Sequence, residues 1–122
     1  MKKKKSNFHS SKNKKDGYEV IELPSNNDEM EKYLDKNRSE INLKMVESIS
    51  YAIKHRMSAI EVFSFKNSNF VVIMNYRDFK ENLQNILDFS LKKDDYVTCL
   101  KVRKVIDRLN TISYVFNCKK IK

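Results

Sequence analysis

Two runs of β-branched and aromatic residues, Ala59-Ile60-Glu61-Val62-Phe63-Ser64-Phe65 and Phe70-Val71-Val72-Ile73-Met74, lie between two long stretches whose apolar residues recur every three or four positions. Short β-rich runs of this kind are strand signals, and the intervening Lys66-Asn67-Ser68-Asn69 suits the turn of a β-hairpin near 59–74. The stretch before them puts Ile41, Met45, Val46, Ile49, Ala52, Ile53 and Met57 on one face of a helix starting near Ser39. The stretch after them puts Phe79, Leu83, Ile86, Leu87 and Leu91 in a second stripe, with Asn75 and Asp78 at capping-box spacing ahead of it. The expected class is therefore α+β, a small antiparallel sheet packed with helices. Because 70–74 is apolar at every position, it is expected to lie centrally with both faces covered, or to present one face to a partner.

Ahead of this core, Tyr18-Glu19-Val20-Ile21-Glu22-Leu23 has strand composition and is closed by Pro24, which cannot donate to a ladder, so an edge strand is expected near 18–23. Ser25 to Asp28 offer cap oxygens for a short helix carrying Met30, Tyr33 and Leu34. After the second stripe, Lys92-Lys93-Asp94-Asp95 makes a short polar link to a further helix with Tyr96, Cys99, Leu100, Ile106 and Leu109 on one side. So short a link implies an antiparallel helical hairpin, placed at 77–110. The tail from Thr111 is too apolar to float free and is expected to dock as an extended strand or a last helical turn.

Charge is unevenly spread. The 122 residues carry a formal net charge of +9, and residues 1–15 hold seven Lys and no acid. Residues 1–16 have one aromatic, Phe8, and no periodic apolar residues, too little to offset an ordering entropy of roughly 1–2 kcal/mol per residue. A disordered basic arm (1–16) and a single α+β domain (17–122) follow. Such an arm is attracted to polyanions through counterion release, and equally serves plain solubility. The abundance of Lys and Asn also fits AT-rich coding in a small bacterial or viral genome. The candidate nucleic-acid contacts are Lys2, Lys3, Lys4, Lys5, Lys12, Lys14 and Lys15 of the arm, with Lys101, Lys104 and Arg108, which fall three and four apart on one helix face. A stripe of this kind tracks phosphates without reading sequence, and no recognition-helix, zinc-finger or RNP-type aromatic pattern accompanies it.

From Asp95 to Leu109 the chain resembles the second helix of the UVR helical hairpin found in excision-repair proteins and some chaperone adaptors, and Leu83 to Leu91 resembles the first. The resemblance places Tyr96, Cys99, Leu100, Arg103, Ile106 and Leu109 on the inner side of the hairpin. It departs from the motif at Leu100, where a small residue is usual, and at Lys104, where an acid is usual. It implies a protein-binding hairpin, dimerising or docking on another hairpin, sometimes near DNA, with Tyr96, Leu100 and Arg103 as contacts and no catalysis. Arg103 also stands four residues before Asp107, the spacing of a helix-surface ion pair.

Catalytic chemistry has little to build on. One Gly and one Pro leave no Gly-rich phosphate cradle, and His9 and His55 lack Cys or His at ligand spacing, so no metal and no cofactor are expected. Lys54, His55 and Arg56 suit the C-terminal end of a helix, and Asp94-Asp95 a cap. Cys99 and Cys118 stand singly behind no secretory leader, and the longest apolar run is far short of the roughly 18–20 residues of a membrane span, giving a cytoplasmic expectation, host cytoplasm or virion if viral. The expected function is that of a non-enzymatic binding protein whose helical hairpin docks a protein partner, or itself, and whose arm contacts nucleic acid non-specifically. The alternative is a structural or assembly subunit in which Phe70 to Met74 pair at an interface.

Overall fold

A computed structural model describes the backbone of residues 14–15 and 17–121 and the side chains of residues 17–112. The chain runs β1 (Lys14–Lys15), β2 (Tyr18–Glu19), β3 (Ile21–Leu23), α1 (Asn27–Lys36), α2 (Arg38–Lys54), β4 (Ala59–Phe65), β5 (Val71–Asn75), a 3-10 turn (Tyr76–Asp78), α3 (Phe79–Lys92) and α4 (Tyr96–Ile121). The fold is α+β. Asn26 starts α1 by accepting from the Glu29 N–H at 3.1 Å, with Asp28 and Glu29 in the first turn and Lys36 in the last, as the helix dipole favours.

The three-stranded sheet has the order β3-β4-β5 and is mixed, not antiparallel throughout. β3 pairs with β4 in parallel, Ile21 beside Phe63 and Leu23 beside Phe65, and a parallel pair needs the crossover that α1 and α2 supply. β3 is an edge strand, as expected, but the segment 18–23 is not continuous. Tyr18 and Glu19 pair separately and antiparallel with Lys14 and Lys15, and Val20 lies between the two strands. The arm is thus backbone-paired at Lys14 and Lys15, and the rest of its expected disorder falls on residues outside those described.

β4 and β5 form the expected hairpin, but the central strand is β4. β5 lies at the edge, with Val71, Val72 and Ile73 exposed and Met74 alone buried. Its continuous apolar run therefore marks an uncovered strand, because the place between two neighbours is taken by β4. An extra residue, Val62, bulges β4 between Glu61 and Phe63.

One core cluster joins Val46, Ile49, Ala52 and Ile53 of α2 to Ile60 and Val62 of β4, to Phe79, Leu83, Ile86 and Leu87 of α3, and to Cys99, Val102, Val105 and Leu109 of α4. A smaller one joins Ile21, Leu23 and Ile41, with Met30 and Leu34 of α1 against it. Glycine is required at Gly17, whose φ is +103° and where an added Cβ would stand 2.8 Å from Cε2 of Tyr51. Lys44 reaches from α2 to Glu19 of β2 at 3.1 Å. Burial lowers the Lys44 pKa, but its hydrogen bond to Glu19 and the charges of Glu19 and Glu40 outweigh that and leave it raised.

With a single glycine in the chain, two helices end on left-handed residues that carry side chains. Arg56 (φ 56°) follows α2, and the Met57 N–H then donates to the Ala52 carbonyl at 2.9 Å while the Arg56 N–H donates to Ile53 at 3.2 Å. Asp94 (φ 58°) follows α3 in the same way, with Asp95 N–H to Ser90 at 2.9 Å and Asp94 N–H to Leu91 at 3.2 Å. Both are Schellman closures, a motif that favours glycine. Arg56 is exposed, so Arg56→Gly is expected to raise stability by about 1 kcal/mol in urea unfolding, by relieving the left-handed strain. Unchanged or lowered stability would argue against this helix end.

The 3-10 turn precedes α3 where a capping box was expected, and neither Asn75 nor Asp78 makes a side-chain cap bond. The α3 stripe is buried through Leu87, whereas Leu91 faces outward. α4 continues as helix to Ile121, so the tail is neither an extended strand nor a single last turn.

Candidate binding surface on the last two helices

The orientation of α4 is set at its first turn. Asp95 caps it, its carboxylate accepting from the Thr98 N–H at 3.2 Å and from the Thr98 hydroxyl at 2.7 Å, while its carbonyl accepts from the Cys99 N–H at 3.1 Å. Cys99, Val102, Val105 and Leu109 then face the core at helical spacing. Their phase differs from the expected one. Of the positions assigned to the inner side, Cys99 and Leu109 are buried and Ile106 half-buried, but Tyr96 (63%), Leu100 (64%) and Arg103 are exposed. The cause is the apolar composition of the first turns, where Tyr96, Val97, Cys99, Leu100 and Val102 cover a wider arc than one buried face accepts.

The Thr98 side-chain hydrogen bond, followed by the Thr98 backbone bond, holds the Asp95 carboxyl below its ordinary value. The ionised form is therefore the capping form. Its contribution is complete above the ordinary carboxylate pKa and is lost as pH falls through the lowered value. Amide exchange should show Thr98 and Cys99 protection constant at neutral pH and weakening under acid, with Asp95→Asn, which keeps an acceptor oxygen without the charge, abolishing that pH dependence. Acid-insensitive protection in the unaltered chain would contradict the cap.

Outside the core face, α4 presents two adjoining features. Tyr96, Val97 (67% exposed) and Leu100 form an apolar cluster at the helix start, and Leu91 (51% exposed) lies just across the turn. The Tyr96 hydroxyl is held by Asp94 at 3.2 Å. One turn further, Lys101, Lys104 and Arg108 line a groove of about 380 Å³ with Val46, Glu47 and Ser50 of α2 and Val105. The sequence expectation that these three bases share a face holds. The partnership with α2, Glu47 included, is set by tertiary packing and has no sequence signal.

Arg103 is exposed and makes no ion pair with Asp107, contrary to expectation. Lys2, Lys3, Lys4, Lys5 and Lys12 lie outside the described residues, and for Lys14 and Lys15 only the backbone is described. A larger hollow, about 650 Å³, opens between α1, α2 and α3 at Lys36, Arg38, Phe89 and Lys93. Arg38 and Lys93 stand 5.8 and 5.7 Å from the Phe89 ring centroid, and Asp35 and Glu40 share the hollow. Two acids there offset the bases more fully than Glu47 does in the α4 groove, so the α4 groove is the better polyanion surface.

Lys54, His55 and Arg56 are exposed at the end of α2, where the His55 ring lies against Tyr51 at 4.1 Å. Among the described residues, no group of three or more His, Cys, Asp or Glu side chains is placed to hold a metal ion, and no helix is long and apolar enough to cross a membrane. Against known protein families, curated proteins and solved structures, the chain finds no match.

Proposed function

We propose that this chain is a non-enzymatic binding protein. It docks a protein partner through Tyr96, Leu100 and Arg103, and contacts nucleic acid without sequence preference through Lys101, Lys104, Arg108 and the lysines of the arm. The observation that carries this reading is the adjacency, on one exposed side of α4, of an apolar cluster and a basic row. Exposed apolar side chains rimmed by charge suit protein docking, and a row of bases along a helix suits phosphates. The UVR-type resemblance implies a docking hairpin, but Tyr96, Leu100 and Arg103 face outward and not across the hairpin as that motif has them, so the docking half rests on their exposure. A cytoplasmic setting is part of the same proposal.

The test is affinity for a generic duplex across a salt series, for the full chain and for a form lacking residues 2–15. The logarithm of the binding constant should fall linearly with that of salt, by about 0.9 per phosphate neutralised, and the slope should be shallower without the arm. A flat dependence in both would remove the nucleic-acid half. A structural or assembly role is the second reading, favoured by one observation, the uncovered apolar strand β5.

A further inference from the structure

We propose that β5 is a self-association edge, on which two copies of this chain pair antiparallel about Val72 to join their sheets into one. This is independent of any docking on α4. Among the described residues, β4 alone pairs with β5, so the other side of β5 presents unpaired backbone. Phe70 is 78% exposed and Val71, Val72 and Ile73 are exposed after it. Because successive side chains of a strand point to opposite faces, this exposes apolar groups on both. Natural edge strands are blunted by Lys, Pro or a bulge in the edge itself. Here the bulge is in β4, and ten consecutive residues, Asn67 to Tyr76, carry no charge in a chain that is 34% charged.

The occupant that suits such an edge is a second copy of it. The arm, with its seven Lys, has no apolar run to set against it. Antiparallel pairing about Val72 places Val71 opposite Ile73 and Phe70 opposite Met74, apolar against apolar throughout. The flanking charges select the direction. Lys66 lies at one end of the strip and the mutually neutralising Arg77 and Asp78 at the other. An antiparallel pair therefore brings Lys66 toward that neutral end, whereas a parallel pair would set Lys66 against Lys66. Two-fold pairing of identical edges is also the simplest closed assembly, leaving no second edge of the same kind exposed.

The experiment is the solution mass of the full chain from about 1 μM to about 1 mM, since a small interface populates this range. A species of twice 14.5 kDa is expected to grow with concentration and, because each copy carries +9, with added salt. The double variant Val71→Lys with Ile73→Lys sets like charges opposite each other twice and should weaken dimerisation by at least about 100-fold. The double variant Val71→Glu with Ile73→Lys adds as many charges but sets opposite signs together, and should restore the dimer. Exchange protection of those amides within Val71–Ile73 that point away from β4, rising with concentration in the unaltered chain, gives a readout that needs no variant. The proposal is overturned by a monomer at every concentration, by a dimer indifferent to the lysine pair, by failure of the charge-swapped variant to restore pairing, or by a dimer lost only on altering Tyr96 and Leu100.

Discussion

Phe79→Ala is expected to remove about 3–5 kcal/mol of stability, a large share of the roughly 5–15 kcal/mol that a domain possesses. Phe79 has no exposed surface, and it sits where the 3-10 turn passes into α3, with the Tyr76 ring edge-on at 5.7 Å. It belongs to the same cluster as Leu83, Ile49 and Val102, all of them fully enclosed, so the side chain's removal leaves a void bounded by α2, α3 and α4. Loss of transfer energy and the residual cavity then add. Urea unfolding would show the midpoint falling with little change of slope, as a loss of stability without a change of cooperativity requires. Phe70→Ala is the internal control. The chemistry is the same, but Phe70 is mostly exposed, and the change should stay within about 0.5 kcal/mol in the monomer. Equal effects at the two positions would mean that the core is not centred where α3 begins.

Neutralising Lys101, Lys104 and Arg108 together, each to Gln, is expected to weaken binding to a generic duplex by about 10²- to 10³-fold at ~0.1 M salt. If each base neutralises one phosphate, the salt slope falls by about 2.7, and the lost counterion release accounts for the affinity. All three side chains are exposed and line a groove shared with α2, so folding should be little affected. The loss should be the same on duplexes of different sequence, since phosphate contacts carry no base information. Neutralising exposed Lys32, Lys36 and Lys80, on α1 and α3, removes as much charge from other faces and should cost far less. Equal losses from the two sets would reduce the effect to overall charge.

Helices α2 and α3 were the most legible because each buries a narrow stripe. The residues from Ile41 to Ile53 recur at a spacing that leaves one buried face, and α2 is built on them. Strand direction was not legible. The pattern of Ile21 and Leu23 gives the buried face of β3 but says nothing of its partner, and the parallel pairing with Phe63 and Phe65 is one that the long α1–α2 crossover permits. In β5 a continuous apolar run carries the same signature whether strands pair along both of its sides or, as here, along one. The phase of α4 was ambiguous for a related reason. Tyr96, Val97, Leu100, Cys99 and Val102 are all apolar, and packing against α2 and α3 selects the last two. The basic row was legible, since Lys101, Lys104 and Arg108 share a face in any regular helix. Glu47 and Ser50 beside them come from a segment some fifty residues earlier and needed the tertiary fold.

The central claim, that the exposed side of α4 is the working surface, is tested most directly by titrating the isotopically labelled full chain with a short generic duplex at low salt and following each backbone amide. Shifts clustered at Lys101, Lys104 and Arg108 and at the neighbouring Glu47 and Ser50 of α2, reversed by added salt, are the predicted result. Saturable binding that leaves those amides unmoved, or no binding at all, would contradict it.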